Sequence, residues 1–257
     1  MITRRKFVKG CFGAVATIYG ISLFPEYKGF DKLIKGIPIL LYHRVGIELD
    51  DLTISVKHFQ QDMKLLSFAG YNAISLEQVK QHLQGNSSSL PHKPIVITFD
   101  DGYLDNYTNA FPILQKYSML ASFHIITGMV GNNDRLAVSH IREMQRAGMD
   151  FGSHTVTHRS LAELSPHEVA IELKKSKFDL EQIVGKTVDF IAYPCGSYKA
   201  ETLNIAREIG YLGGFSVQDG FAEFSNPLTI RRIPIFHSDH SIAYVLARKG
   251  LIPRLFG

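Results

Sequence analysis

Short apolar runs alternate with amphipathic segments along the chain from Gly36 onward. The apolar runs have the length and composition of buried strands, and IPILLY at 37–42 and PIVITF at 94–99 are the clearest examples. Turn-forming residues bound several of these runs, as expected where a strand ends. The same pattern predicts further strands over 71–75, 120–126, 149–152, 188–193 and 212–216.

The segments between the strands carry apolar residues at roughly helical spacing. They predict helices over 55–69, 76–83, 106–116, 139–147, 166–184 and 200–209. Repeated strand–helix units indicate a mainly parallel sheet with helical cover. The number of units in 257 residues favours a distorted or incomplete (β/α) barrel in a single domain over an open sheet.

The N-terminus has the pattern of an export signal. Arg4, Arg5 and Lys6 precede an uncharged, largely apolar run over 10–24, and the arginine pair resembles a twin-arginine signal. The run is shorter than the roughly 20 residues that a membrane-spanning helix needs. We therefore predict an export signal over 1–29 and a periplasmic or envelope location. An uncleaved anchor stays open, because no A-x-A cleavage site follows.

The charge distribution argues against a nucleic-acid partner. The formal net charge is +4, and the first 29 residues carry all of it, so the folded body is formally neutral. The two cysteines, Cys11 and Cys195, form no CxxC pair that would predict a structural zinc site.

Two clusters of polar residues indicate metal chemistry. Asp100 and Asp101 follow the strand at 94–99, where parallel α/β folds place active sites, and adjacent carboxylates are costly unless a cation or protonation relieves them. His154 and His158 have a spacing that can bring two imidazoles onto one ion in a helix or a tight loop. With Asp101 they supply three protein ligands, the number found in catalytic zinc sites.

The motifs Thr98-Phe99-Asp100-Asp101-Gly102 and Ser153-His154-Thr155-Val156-Thr157-His158 resemble the first two signatures of the polysaccharide deacetylase family, also called the NodB-homology or carbohydrate esterase family 4 domain. The resemblance covers roughly 36–240. It implies a distorted (β/α) barrel over a catalytic domain at 30–257, with Asp100 as general base and Asp101, His154 and His158 as ligands of one divalent metal. Zinc is expected, and cobalt or nickel fits the same ligands.

The family's third motif is altered here. Tyr193-Pro194-Cys195-Gly196 keeps the Pro-x-Gly turn, but Ala192 stands where the family has arginine. We expect Tyr193, Pro194 and Cys195 to form the substrate or oxyanion site, since a backbone N–H at Cys195 needs no particular side chain. Arg231 or Arg232 is expected to supply the missing charge, and we place Arg232 in the site.

The general acid is expected near the start of the catalytic domain. Tyr42-His43-Arg44 resembles the N-terminal motif of the circularly permuted subgroup, which contains the deacetylases of poly-β-1,6-N-acetylglucosamine. The resemblance assigns the acid role to His43. His237 is the alternative if the unpermuted arrangement holds.

The family resemblance implies a hydrolase that removes acetyl groups from N-acetylated sugars, and the export signal suggests that its substrate is an envelope or extracellular glycan. Asp100 would take a proton from water, and His43 would protonate the departing amine. Site chemistry alone leaves an O-acetyl esterase open. A non-catalytic glycan-binding protein is the alternative from another class. We expect a membrane contact only through the N-terminal segment.

Overall fold

A computed structural model describes residues 36–47, 50–86, 90–239 and 241–251. The proposed export signal lies outside these residues. The strands are β1 (Ile39–Tyr42), β2 (Arg44–Gly46), β3 (Thr53–Ser55), β4 (Asn72–Ala73), β5 (Pro94–Phe99), β6 (Ser122–Ile125), β7 (Asp150–Ser153), β8 (Phe190–Ala192), β9 (Gly213–Asp219) and β10 (Ile230–Pro234). The α-helices are α1 (Val56–Phe68), α2 (Leu76–Leu83), α3 (Phe111–Lys116), α4 (Val138–Arg146), α5 (Pro166–Val184), α6 (Ala200–Ile209) and α7 (Ile242–Val245).

Seven parallel strands close into a barrel. The order β1-β10-β9-β8-β7-β6-β5 returns to β1 through a parallel β1–β5 pairing, and β4 pairs with the start of β5. Strands β2 and β3 form a separate parallel pair. The predicted α/β barrel of a single domain is therefore confirmed, and its distortion is a barrel of seven strands. Strands β2, β3 and β10 were not predicted from the sequence.

The two faces of the barrel strands are buried in different surroundings, as the two-residue repeat of a strand requires. Alternate residues of five strands form one apolar cluster, which fills the lower part of the barrel interior: Ile39, Val96, Phe190, Phe215 and Ile230. The residues between them, such as Leu40, Ile97 and Phe123, pack with the helices in a second cluster. Both faces of the barrel wall are therefore buried.

The helices begin at local signals that the sequence carries. Ser75 accepts a hydrogen bond from the N–H of Gln78 at the start of α2, and Gln78 reciprocates, which makes a capping box. Helix α5 begins the same way, with Ser165 and Glu168, and ends at Gly185 in the left-handed conformation. Among the described residues, no helix has the length and apolar composition that crossing a membrane requires.

Candidate active site

The carboxyl ends of the barrel strands bring the predicted polar residues together. His43 follows β1, Asp100 follows β5, and His154 follows β7. In a parallel barrel the segments after all strands open on one face, so residues far apart in sequence meet there.

Asp101, His154 and His158 form a group with the geometry of a metal site. One ligand atom from each residue lies within 4.8 Å of the others. The Nε2 atoms of both histidines lie 3.3 Å from Oδ1 of Asp101. Among the residues that the structure describes, this buried Oδ1 has no donor that meets the geometry of a hydrogen bond. A bare carboxylate oxygen facing two imidazole nitrogens fits a divalent cation.

His154 is oriented as a ligand by its second ring nitrogen. Nδ1 lies 2.7 Å from the carbonyl oxygen of Ala192, which can only accept, so Nδ1 carries the hydrogen. Nε2 then presents its lone pair toward Asp101. A histidine that donates its other N–H to a carbonyl is the usual arrangement around a bound metal.

The loop that carries the two histidines is a tight turn. Thr155 and His158 have φ angles of 65° and 61°, in the left-handed region that non-glycine residues seldom adopt. Oγ1 of Thr155 accepts the N–H of His158 over 3.0 Å. Such strained conformations persist where surrounding contacts hold them, and they cluster at functional sites.

Glu172 of α5 supplies those contacts. Its Oε2 accepts the N–H groups of Val156 and Thr157 over 2.8 and 3.0 Å, and its Oε1 accepts the Thr157 hydroxyl over 2.5 Å. The Glu172 side chain is buried beneath the loop. One carboxylate thus satisfies three donors of the segment between the predicted metal ligands.

Asp100 lies beside this group and is held by a buried arginine. Arg232 NH1 donates to Oδ1 over 2.8 Å, and NH2 donates to Oδ2 over 2.6 Å. Burial alone would raise the pKa of Asp100, but the charge of Arg232 and the hydrogen bonds from His124 and Arg232 hold this pKa well below its usual range. Asp100 is therefore a carboxylate at neutral pH.

The positive charge that pairs with Asp100 comes from Arg232 of β10, a position that the family's third motif does not include. Arg231 is exposed, whereas Arg232 is fully buried and also donates to the carbonyl oxygen of Ser216 over 3.0 Å. Ala192, which stands at the position of the family's arginine, is buried in the barrel interior. The guanidinium thus reaches Asp100 from a different strand.

The predicted substrate residues Tyr193, Pro194 and Cys195 follow β8, and they differ in how exposed they are. The side chain of Tyr193 is fully buried and packs against Tyr198 at a ring distance of 5.0 Å, so the structure does not bring it to the site. Pro194 is buried, and Cys195 is exposed with a φ of 55°.

His43 is half-buried, and its Nδ1 has no hydrogen-bond partner in the part of the chain that the structure describes. Asn106 donates to its backbone carbonyl over 2.9 Å, which fixes the segment after β1. Burial lowers the pKa of His43, although Asp100 and Asp101 act in the opposite direction. His237, the alternative acid, is exposed and donates from Nδ1 to the carbonyl oxygen of Thr53 over 2.9 Å.

Comparison with known proteins bears directly on this site. A family model described as polysaccharide deacetylase matches residues 87–214, which include both predicted motifs. The Streptococcus pyogenes deacetylase PplD, solved in complex with acetate, superposes with a TM-score of 0.78 and is 33% identical, covering 84% of this chain and 98% of that chain. The chain belongs to the polysaccharide deacetylase family.

Two further relatives support the membership of the deacetylase family, and this chain covers about two thirds to three quarters of each. YxkH of Bacillus subtilis is 33% identical over 186 residues, which are 72% of this chain and 66% of that protein. The poly-β-1,6-N-acetyl-D-glucosamine N-deacetylase of Staphylococcus aureus is 28% identical over 216 residues, which are 78% of this chain and 73% of that protein. The family that the motifs predicted is therefore confirmed.

Sequence reasoning missed two residues of this deacetylase site. His124 of β6 lies with Nδ1 3.1 Å from Oδ1 of Asp100 and is completely buried. Glu172 lies within a long helix, and its sequence position gives no sign of the loop that it holds. His124 left a weak signal, since it and Ser122 are polar residues on one face of an otherwise apolar strand.

Proposed function

We propose that this protein hydrolyses the N-acetyl groups of N-acetylglucosamine-type units in an envelope or extracellular glycan. One observation carries the proposal: an ionised carboxylate, Asp100, lies beside a three-residue group suited to one divalent metal. The name of the Staphylococcus aureus relative supports the substrate class, and the acetate complex of PplD supports the leaving fragment.

Asp101, His154 and His158 would hold the metal. When bound, a divalent metal there polarises the acetyl carbonyl and makes a nearby water more acidic. Two imidazoles and one carboxylate suit zinc, and cobalt or nickel fits the same set. Removing the His154 ring takes away one of three protein ligands, so we expect that variant to lose most of its metal.

The chain's own residues then move two protons. Asp100 accepts the proton of the attacking water, because Arg232 keeps it ionised. His43 donates a proton to the departing amine nitrogen. The backbone N–H of Cys195 would stabilise the oxyanion. The carbon–nitrogen bond breaks, and acetate and a free amino sugar leave.

The proposed location is outside the cytoplasm, in the periplasm or the envelope. Its support is the arginine pair and the apolar run of residues 1–29. The glycan named for the Staphylococcus aureus relative is consistent with this placement.

A substrate panel tests the reaction. The zinc-loaded protein is incubated with N-acetylglucosamine oligomers in β-1,4 and β-1,6 linkage and with O-acetylated xylan, and acetate and free amine are measured. We expect equimolar acetate and amine from at least one N-acetylated oligomer. Acetate from xylan alone would identify an O-acetyl esterase. Glycan binding without acetate release from any substrate would identify a binding protein.

A further inference from the structure

His124 lies inside the barrel at a position where a strand normally buries an apolar side chain. It occupies the middle of β6 and is completely buried. Its ring meets Phe215 edge-on, with ring centroids 5.1 Å apart. Burying a polar group is costly unless it is hydrogen-bonded, so the hydrogen bond between the His124 ring and Asp100 is needed to offset that cost.

That hydrogen bond fixes the tautomer of the ring. Nδ1 lies 3.1 Å from Oδ1 of Asp100, and Arg232 donates to both oxygens of that carboxylate, so Oδ1 is an acceptor. Nδ1 therefore carries the hydrogen. Nε2 is buried and has no hydrogen-bond partner among the residues that the structure describes, so a second hydrogen there would be unsatisfied. Burial also lowers the pKa of His124, which agrees with a neutral ring.

The neighbouring strand leaves room for this ring. His124 is paired with Gly152 of β7 in the sheet register. A Cβ on Gly152 would lie 2.4 Å from Cδ2 and 2.8 Å from Nε2 of His124. Any side chain at Gly152 would push the imidazole out of this position.

The donors on Asp100 are distributed unequally. Within the described part of the chain, Oδ1 receives hydrogen bonds from both His124 and Arg232, whereas Oδ2 receives one, from Arg232. A carboxylate oxygen accepts about two hydrogen bonds in the plane of the group. Oδ1 is thus saturated, and Oδ2 keeps a lone pair for a further partner.

We propose that His124 is a positioning residue, which together with Arg232 saturates Oδ1 of Asp100 and leaves Oδ2 as the oxygen that takes the proton from water. This inference rests on the proposed function, since it assigns the active oxygen of the proposed base. His124 acts through Asp100, the residue with which its ring shares a hydrogen bond.

Two substitutions separate the donor from the shape of the ring. In His124→Asn an amide N–H can take the place of Nδ1–H, whereas His124→Leu fills the space without a donor. We expect His124→Leu to lower kcat about 10- to 100-fold with KM nearly unchanged, the size expected for one hydrogen bond to a charged group. His124→Asn should recover most of kcat.

Ser122→Ala is the matched control. Ser122 lies on the same strand and face and is buried, and its hydroxyl makes no hydrogen bond with any described residue. Its kcat should stay within about twofold of wild type, since it contributes no donor to Asp100. The inference is overturned if His124→Leu keeps wild-type kcat, or if His124→Asn is as slow as His124→Leu while both bind stoichiometric zinc.

A measurement without turnover separates this inference from the proposed function. Proton–nitrogen correlation spectra of histidine-labelled protein, assigned with His124→Asn, should show His124 with a protonated Nδ1 and a bare Nε2. A ring protonated at Nε2 overturns the inference even if the protein is active. If no acetylated glycan is hydrolysed but the Nδ1–H signal is present, the proposed function fails and the hydrogen-bond assignment stands.

Discussion

Arg232 places one N–H group on each carboxylate oxygen of Asp100, although the two residues are 132 positions apart in the chain. Both side chains are buried, and each supplies an opposite charge that balances the other. Removing one partner of a buried pair leaves an uncompensated charge, which costs roughly 3–5 kcal/mol. The pair therefore links the stability of the barrel to its chemistry.

We predict that Arg232→Met lowers both stability and activity. The unpaired Asp100 should regain a higher pKa, so that less of it is ionised at neutral pH. Arg232→Lys keeps the charge but loses the bidentate contact, and its losses should be smaller. Urea unfolding and kcat/KM measure the two effects. Arg231→Met, at the exposed neighbour, is the control, and equal behaviour of the two Met variants would contradict the assignment.

His43→Ala should affect amides more than activated esters. An amide nitrogen must be protonated to leave, whereas nitrophenolate leaves without a proton. We expect the rate on an N-acetylglucosamine oligomer to fall about 10²–10⁴-fold, and the rate on nitrophenyl acetate to fall much less. His237→Ala is the matched comparison. If the selective defect appeared in His237→Ala instead, the unpermuted arrangement would be correct.

Asp62 should make stability depend on pH. Burial raises its pKa to about 7, although it accepts hydrogen bonds from the Tyr42 hydroxyl and the Ile242 N–H. This pKa is above that of an unfolded aspartate, about 3.9. The contribution of protonated Asp62 to the unfolding free energy is therefore fully present below pH 4, and it is lost as the pH rises from there through 7.

Asp62→Asn should remove this dependence, because asparagine does not ionise. Between pH 4 and pH 8, wild type should lose roughly 2–4 kcal/mol of unfolding free energy relative to Asp62→Asn. Urea unfolding of both proteins at several pH values measures the difference. A difference that stays constant with pH would contradict the raised pKa.

Export should depend on the arginine pair itself. Replacing Arg4 and Arg5 with lysine preserves the charge but removes the twin-arginine signature. We expect the variant to accumulate inside the cell, which fractionation and immunoblotting detect. Normal envelope localisation of the lysine variant would indicate general secretion or a plain anchor instead.

The sequence was sufficient where chemistry and pattern coincide. Asp100 directly follows an apolar strand, and His154 and His158 lie in a compact motif, so the barrel face that carries them could be predicted. Their common face follows from strand direction alone. None of this required knowledge of side-chain packing.

What could not be predicted depends on register and packing. Strand β10 contains two adjacent arginines, and alternation sends Arg231 and Arg232 to opposite faces, but only the closed barrel decides which one points inward. Tyr193 shows the reverse case: it belongs to a motif expected at the site, yet its side chain packs in the core. His124 is opposite Gly152 only because of the β6–β7 register.

The most direct test of the central claim is a paired measurement of bound metal and acetate release. Wild type, His154→Ala and Asp100→Asn are loaded with zinc, analysed by elemental analysis, and assayed on an N-acetylglucosamine oligomer. We predict one zinc per chain and activity in wild type, little zinc in His154→Ala, and retained zinc with hydrolysis slowed about 10²–10⁴-fold in Asp100→Asn. Stoichiometric zinc in His154→Ala, or wild-type turnover in Asp100→Asn, would contradict the account.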